Sequence, residues 1–370
     1  MKKKQNKSLG ASALQIAIAL ALTSISAVLF ASSLTQRSGG APGTNNPQPD
    51  RPMPDVVRLI GPVMQNKDLR DLPYVAQNEE AENQPLTRYP HPKIGAPPPA
   101  GAAWLQSFVK AVLPPTPNMP TPSLTFEGTS FATGGAGWPP DTNGDVGPNH
   151  YVETVNTTIQ IFDKSGNSLS GPTTFNSFFS ELVGTPCQTA NNGDPFVFYD
   201  HLADRWVISD FAFPSFPGSS FFQCIGVSQT GDPTGAYFLY ALQIDPANPN
   251  QLGDYPKFAM WNSGGNPAQN AYFFTVNLFS TPTTFNGVRA FALDRASMIA
   301  GGPANAIAFT VPLAGVGNSY SFVPATFRTG DPPPAGRDEM LLAIDSPATG
   351  GVTLTQVHAR FFHVDFATPG

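Results

Sequence analysis

The chain has 370 residues, only 12% of them charged, and it carries 34 Gly and 40 Pro. Turn-forming residues at that density exclude a protein of long helices, and the length suffices for two or more ordinary domains. From Phe126 onward, 8 Lys and Arg stand against 19 Asp and Glu, a net of −11, which repels phosphate backbones and excludes nucleic acid as a partner.

Residues 1–33 open on the basic MKKKQNK, continue through an almost wholly apolar run from 13 to 31, and end on small residues. That is the pattern of a secretory signal peptide, and it predicts a protein that is secreted, extracellular or held at the cell surface. Left uncleaved, about 19 apolar residues also span a bilayer, the one route by which this chain meets a membrane.

Residues 34–122 read as a Pro-rich linker or stalk, largely irregular. Eighteen of the 40 prolines fall between 42 and 122, and such density breaks helices and removes ladder donors. Two short ordered islands stand in it, at 55–64 and 101–113. In the second, Trp104, Leu105, Phe108, Ala111 and Val112 follow helical spacing and form a stripe for docking on the main domain. With little here to bury, the main domain is expected to fold without anything before Ser123.

Residues 123–370 change to short apolar strands separated by turns, an all-β grammar. The strands group into units at 144–179, 193–245 and 253–313, with a less regular fourth unit after them. The second unit shows the pattern best: PFVFYD and RWVISDFAF flank the turn DHLAD, and FFQCIGVSQ and AYFLYALQI flank TGDPTG. Four-strand units repeating at this spacing predict a β-propeller-like domain of four-stranded blades. A pair of β-sandwiches built from the same strands is the alternative.

The segments PPDTNGDVGPNHYV, GDPFVFYDHLADRWVIS and DPTGAYFLY resemble a group of uncharacterised secreted bacterial β-propeller-like proteins, over about 139–366. The resemblance implies a propeller and carries no catalytic residue across. In that group the segment similar to HVDFATPG is followed by further repeats, so a ring of about four units and an incomplete ring both stay open.

Cys187 and Cys224 are the only cysteines, and an exported protein is expected to bridge them. Closing a loop of that length is worth roughly 4 kcal/mol in the chain-entropy account. Asp141, Asn143 and Asp145 place oxygen ligands at alternate positions, like the start of a calcium loop. The rest of that loop is missing, with Val146 where Gly is needed and Val152 where Glu is needed. Gly-Asp recurs at Asp145, Asp194 and Asp254, each opening a unit. Equivalent blades would converge these three carboxylates on the axis, where like charges raise one another's pKa or recruit Ca2+. The alternative is that each Asp caps its own turn. His358 and His363 fall on opposite faces of one strand and make no metal site, and His150 and His201 stand in turns.

No nucleophile elbow, P-loop or dinucleotide fingerprint is present. The carboxylates available for acid–base chemistry are Glu153, Asp194, Asp200, Asp204, Asp210 and Asp254. Asp204 and Arg205 form a turn ion pair beside Trp206, which belongs in the core. Two functions fit. One is a binding or structural module presenting a face to an extracellular polysaccharide or protein. The alternative is a carbohydrate-active hydrolase on a propeller scaffold using paired Asp and Glu.

Overall fold

A computed structural model describes residues 53–76, 120–135, 139–262, 269–312, 321–328, 333–344 and 357–368. The expected signal peptide and the Trp104 stripe lie outside the described residues. Among the described residues no helix is long and apolar enough to cross a membrane.

The fold is all-β, and its sheets follow one another along the chain as the propeller-like reading expects. The first sheet runs β3 (Asn143–Val146), β4 (His150–Val155), β5 (Thr158–Asp163) and β6 (Ser168–Thr174). The second runs β7 (Gly193–Asp200), β8 (Arg205–Ala212), β9 (Phe222–Ser228) and β10 (Tyr237–Gln243). The third runs β11 (Leu252–Trp261), β12 (Ala271–Thr281), β13 (Thr284–Asp294) and β14 (Asn305–Pro312). The fourth has three described strands, β15 (Val323–Pro324), β16 (Glu339–Ile344) and β17 (Val357–Phe362). Within these four sheets, strands that follow one another in the chain pair antiparallel, as short hairpin turns demand. The first strands β3, β7, β11 and β15 touch in series.

Alternation along the strands shows why these sheets stack. Val197 and Tyr199 of β7, with Trp206 and Ile208 of β8, pack against Val152 and Ile159 of the first sheet and Phe178 of the short helix that follows it. Their neighbours Phe198 and Val207 face the other way, against Phe258, Tyr272 and Phe274 of the third sheet. Phe273, one residue from Phe274, joins Phe322, Leu341 and Phe362 of the fourth. A strand with period-two side chains is apolar on both faces only when its sheet is covered on both sides. Trp206 is 0% exposed, a core residue as expected.

The 34–122 stretch departs from a simple linker. Residues 55–58 form β1 (Asp55–Arg58), the outer edge of the third sheet against β14, and 60–65 form β2 (Ile60–Gln65), the outer edge of the second against β10. The chain then reaches the first sheet: the Ser170 and Thr173 hydroxyls donate to the Leu69 and Pro73 carbonyls at 2.8 and 2.7 Å. Val57, Leu59, Leu69 and Leu72 are buried. This strap crosses three sheets, so the expectation that nothing before Ser123 contributes to the core is corrected. Among the described prolines of this stretch, Pro54 precedes β1 and Pro62 lies in β2, an edge strand where a missing N–H is tolerated. Arg289, 2% exposed on β13, fixes the strap by donating to Asp55 at 2.8 Å.

Cys187 and Cys224 are bridged, with Cα atoms 5.8 Å apart, tying the turn before β7 to β9. Asp200 ends β7 with no exposure and accepts from Tyr272 Oη at 2.7 Å and from Arg295 Nε and Nη2 at 2.7 and 3.0 Å, which joins the second sheet to the third.

Candidate functional site

The starts of β3, β7 and β11 meet around a cavity of about 220 Å³ lined by Asp141, Thr142, Asn143, Asp194, Pro195, Phe196, Tyr255 and Lys257. Local backbone builds it. Between Gly193 and Phe196 of β7, and again between Asp254 and Lys257 of β11, the strand holds one residue more than its partner. Each is a β-bulge, which frees a strand position from the ladder and re-aims its side chain. Pro195 and Pro256 sit within these bulges, where a missing N–H costs no ladder bond. Asp194 and Tyr255, each preceding one of these prolines, have φ of 49° and 57°, and Asp141 has φ of 42°. Positive φ is uncommon for non-glycine residues and out of place for a bulky one, and such backbones gather where function holds them.

Hydrogen bonds lock the three together. The Tyr255 N–H donates to Asp194 Oδ2 at 3.0 Å, and the Asp194 N–H donates to Asn156 Oδ1 at 2.8 Å. Asn156 Nδ2 donates to Asp141 Oδ2 at 3.1 Å and to the Pro139 carbonyl at 3.0 Å. Buried Asn156 thus positions both aspartates. It can approach because residue 193 is glycine, with φ of 119°: a Cβ there would come within 2.7 Å of Asn156 Oδ1.

The electrostatics follow from burial. Asp194, 8% exposed, is held well above the usual carboxylate range by desolvation first, then by the negative charge of Asp254 and by its contact with Asp141. Its carboxyl is thus biased toward the protonated form, with Asp141 beside it. Lys257 is pushed below the usual ammonium range by burial, against the opposing pull of Asp194, Asp141 and Asp254. Its amine lies 3.6 Å from the centre of the Tyr255 ring.

The five residues expected to bind metal divide. Asp141, Asn143 and Asp194 line the cavity, and Asp254 acts on Asp194 and Lys257 from a buried position. Asp145 does not join them. Its Oδ2 accepts the Tyr199 N–H at 2.7 Å and pairs with Arg328, in the segment after β15. Asn143 Oδ1 accepts the Val197 N–H at 2.7 Å. Asn143 and Asp145 are spaced by two because they serve alternate N–H groups of β7, so the Asp141–Asp145 run is a side-chain ladder between sheets rather than a calcium loop.

The expected equivalence of the Gly-Asp pairs is also corrected. The bulge aligns Asp194 with Tyr255, not with Asp254, and Asp145 lies inside its strand. Among the described residues no group of three or more His, Cys, Asp or Glu is arranged to hold a metal ion. The donors do not fit Ca2+: two are committed to β7, and the Lys257 ammonium supplies the positive charge.

The remaining carboxylates are structural. Glu153 accepts the Thr129 N–H at 2.6 Å, and Asp204 accepts from Tyr199 Oη at 2.6 Å. Arg205 donates to the Ala203 and Asp204 carbonyls, so the expected Asp204–Arg205 ion pair is replaced by backbone contacts. Asp210 is buried and pushed up by desolvation, against the Gly193 N–H. His150 lies 3.9 Å from Asp232, and His363 pairs with Asp338 at 2.9 Å. Sequence reasoning missed Asn156, Tyr255 and Lys257. Only Tyr255 carried a signal, through the shared pattern of a residue before proline at the start of a strand.

Fold and site together define an all-β, propeller-like protein with an acidic, lysine-bearing pocket where its first strands begin. No family profile matches the chain, and no curated protein does. Among solved structures it is similar to an exo-β-1,3-galactanase from Phanerochaete chrysosporium with galactose, at 10% identity over 61% of this chain and 60% of that one, TM-score 0.25. It is also similar to an exo-β-1,3-galactanase from Clostridium thermocellum, at 9% identity over 62% and 59%, TM-score 0.25. An endo-arabinanase from Bacillus licheniformis matches at 10% identity over 60% and 92%, TM-score 0.23. The chain spans about 60% of the length of the two galactanases. Likeness of this extent carries no activity across.

Proposed function

We propose that this is an exported carbohydrate-active hydrolase, with the cavity at the starts of β3, β7 and β11 as its active site. The observation that carries the reading is Asp194: a buried carboxyl, raised above the usual carboxylate range, lining a polar cavity beside a second carboxyl. General-acid catalysis needs a proton held at the working pH next to the bond to be broken. Asp194 gives its proton to the departing glycosidic oxygen, a water attacks the anomeric carbon as that bond breaks, and the Asp141 carboxylate takes the water's proton. Burial first, and then the charge of Asp254, bias the donor toward its protonated form. Asn143 and Thr142 offer hydrogen-bonding groups, and Phe196 and Tyr255 offer ring faces, the mixture that a sugar's hydroxyls and C–H faces require.

One observation favours the second reading, a binding module. The Asp141 and Asp194 carboxyls act directly on one another, whereas paired glycosidase carboxyls stand roughly 5–10 Å apart. As an enzyme, the protein must part the two when substrate enters. The test is a panel of neutral polysaccharides scored for binding and for released product together. Release that Asp194→Asn abolishes supports the hydrolase. Binding without release establishes the module. Neither binding nor release on any member refutes both.

A further inference from the structure

The charge balance of the cavity bears on which sugars it takes. Lys257 is the cation among its lining residues, and it is already engaged: Asp194, Asp141 and Asp254 all act on its ammonium, and the Tyr255 ring covers it at 3.6 Å. The Arg328 guanidinium is turned away, paired with Asp145 and 5.5 Å from the centre of the Phe198 ring. The groups left to meet a ligand are the Asp141 and Asp194 carboxyls and the amides and hydroxyls of Thr142 and Asn143. Those carboxyls accept from sugar hydroxyls. An anionic ligand group has no cation to pair with, and it must approach Asp141 with Asp254 close behind Asp194.

We infer that Lys257 is a specificity-determining residue acting as an internal counterion, and that the site takes uncharged glycan units and rejects uronic acids. The inference rests on the proposed reading of the cavity as a sugar site. A lysine free of acidic neighbours would do the reverse and capture a uronate carboxylate. Here the Tyr255 ring holds its ammonium at 3.6 Å, and the charges of three aspartates act on it. Like charges brought together at an interface suppress wrong partners strongly. Replacing Asp141 by Asn removes one repelling charge while keeping an acceptor for the Asn156 amide.

The test uses the full-length protein and matched pairs of oligosaccharides, each an oligouronate and its carboxyl-reduced neutral counterpart. Oligogalacturonate with the corresponding galactan, and oligoglucuronate with cello-oligosaccharides, are two such pairs. Binding is measured by calorimetry at low salt. The expected result is that a neutral member binds and its uronate partner binds about a hundredfold more weakly or not at all. Asp141→Asn is expected to narrow that gap by about tenfold, and a circular-dichroism spectrum unchanged from wild type shows that the variant is folded. Uronates binding as tightly as their neutral partners, or an unchanged gap in folded Asp141→Asn, overturns the inference while leaving the cavity a sugar site. Failure of every neutral and every anionic member to bind overturns the sugar-site reading, and the inference falls with it.

Discussion

The Tyr255 N–H donates to Asp194 Oδ2 at 3.0 Å, joining the bulge of one inner strand to the bulge of the next. That bond couples two sheets at the lip of the cavity. It also opposes, in part, the burial that raises the Asp194 pKa. The same pairing of inter-sheet structure with site chemistry recurs one strand away, where Asn143 serves Val197.

Asn143→Ala is expected to destabilise the protein by about 1–3 kcal/mol, because it leaves the Val197 N–H without its acceptor. Asn143→Asp keeps an acceptor at that place and is expected to cost less. Urea denaturation of the three proteins checks the order. Equal midpoints would show that the ladder between β3 and β7 contributes nothing.

Removing the strap is expected to harm the fold. A chain beginning at residue 123 loses β1 and β2 and the burial of Val57, Leu59, Leu69 and Leu72, each worth roughly 1.5–3 kcal/mol when fully buried. It also opens the edges of β10 and β14 to pairing with other chains. Compared with a chain beginning at residue 53, it should melt well below it and self-associate in sedimentation. Equal melting and a monomeric state would contradict the role given to the strap.

Glu339, 1% exposed on β16, is pushed up to about 9 by burial, from the ordinary 4.5. Below pH 4.5 both folded and unfolded states hold its proton. Above that, the unfolded state gives up the proton and the folded state keeps it. The stability this group contributes is therefore present at low pH and lost as pH rises toward 9, at no more than about 1.4 kcal/mol per unit. Asp194 and Asp210, also raised by burial, work in the same direction. Glu339→Gln should flatten the decline between pH 5 and 9 and stabilise the protein at its alkaline end. Urea midpoints across that range measure it, and an unchanged slope in the variant would refute it.

With Lys257 as the internal cation, chelation by EDTA should leave the melting temperature of the wild-type protein unchanged. Lys257→Ala leaves the aspartates without their counterion, so it should melt lower and recover part of the loss in millimolar Ca2+. A wild-type protein destabilised by EDTA would restore the calcium reading of this cluster.

Much of the fold was legible because the second and third sheets state it locally. Val197 and Phe198, or Phe273 and Phe274, are apolar neighbours on opposite faces, and only a sheet covered on both sides asks for that. DHLAD and TGDPTG name their turns by the carboxylates that cap them, Asp200 to the Leu202 and Ala203 N–H groups and Asp232 to that of Thr234. The strap was not legible as part of the sheets, since two short edge strands among prolines have no periodicity to show. The site was half legible. Asp141, Asn143 and Asp194 stood out as oxygen-bearing residues near glycine. Their roles depended on a one-residue bulge that shifts register, and on Asn156, Tyr255 and Lys257, which reach the cavity from other segments. A repeated Gly-Asp pair suggested equivalence, but the residue preceding proline sets the alignment.

The central claim is that Asp194 is a proton donor to a glycosidic oxygen. The most direct measurement is product release by wild-type protein and Asp194→Asn on a neutral polysaccharide that both bind. Asn keeps the acceptor for the Tyr255 N–H and removes the transferable proton. The account predicts that release falls by about 10²–10⁴-fold while binding is retained. Release at the wild-type rate by the folded variant would contradict it.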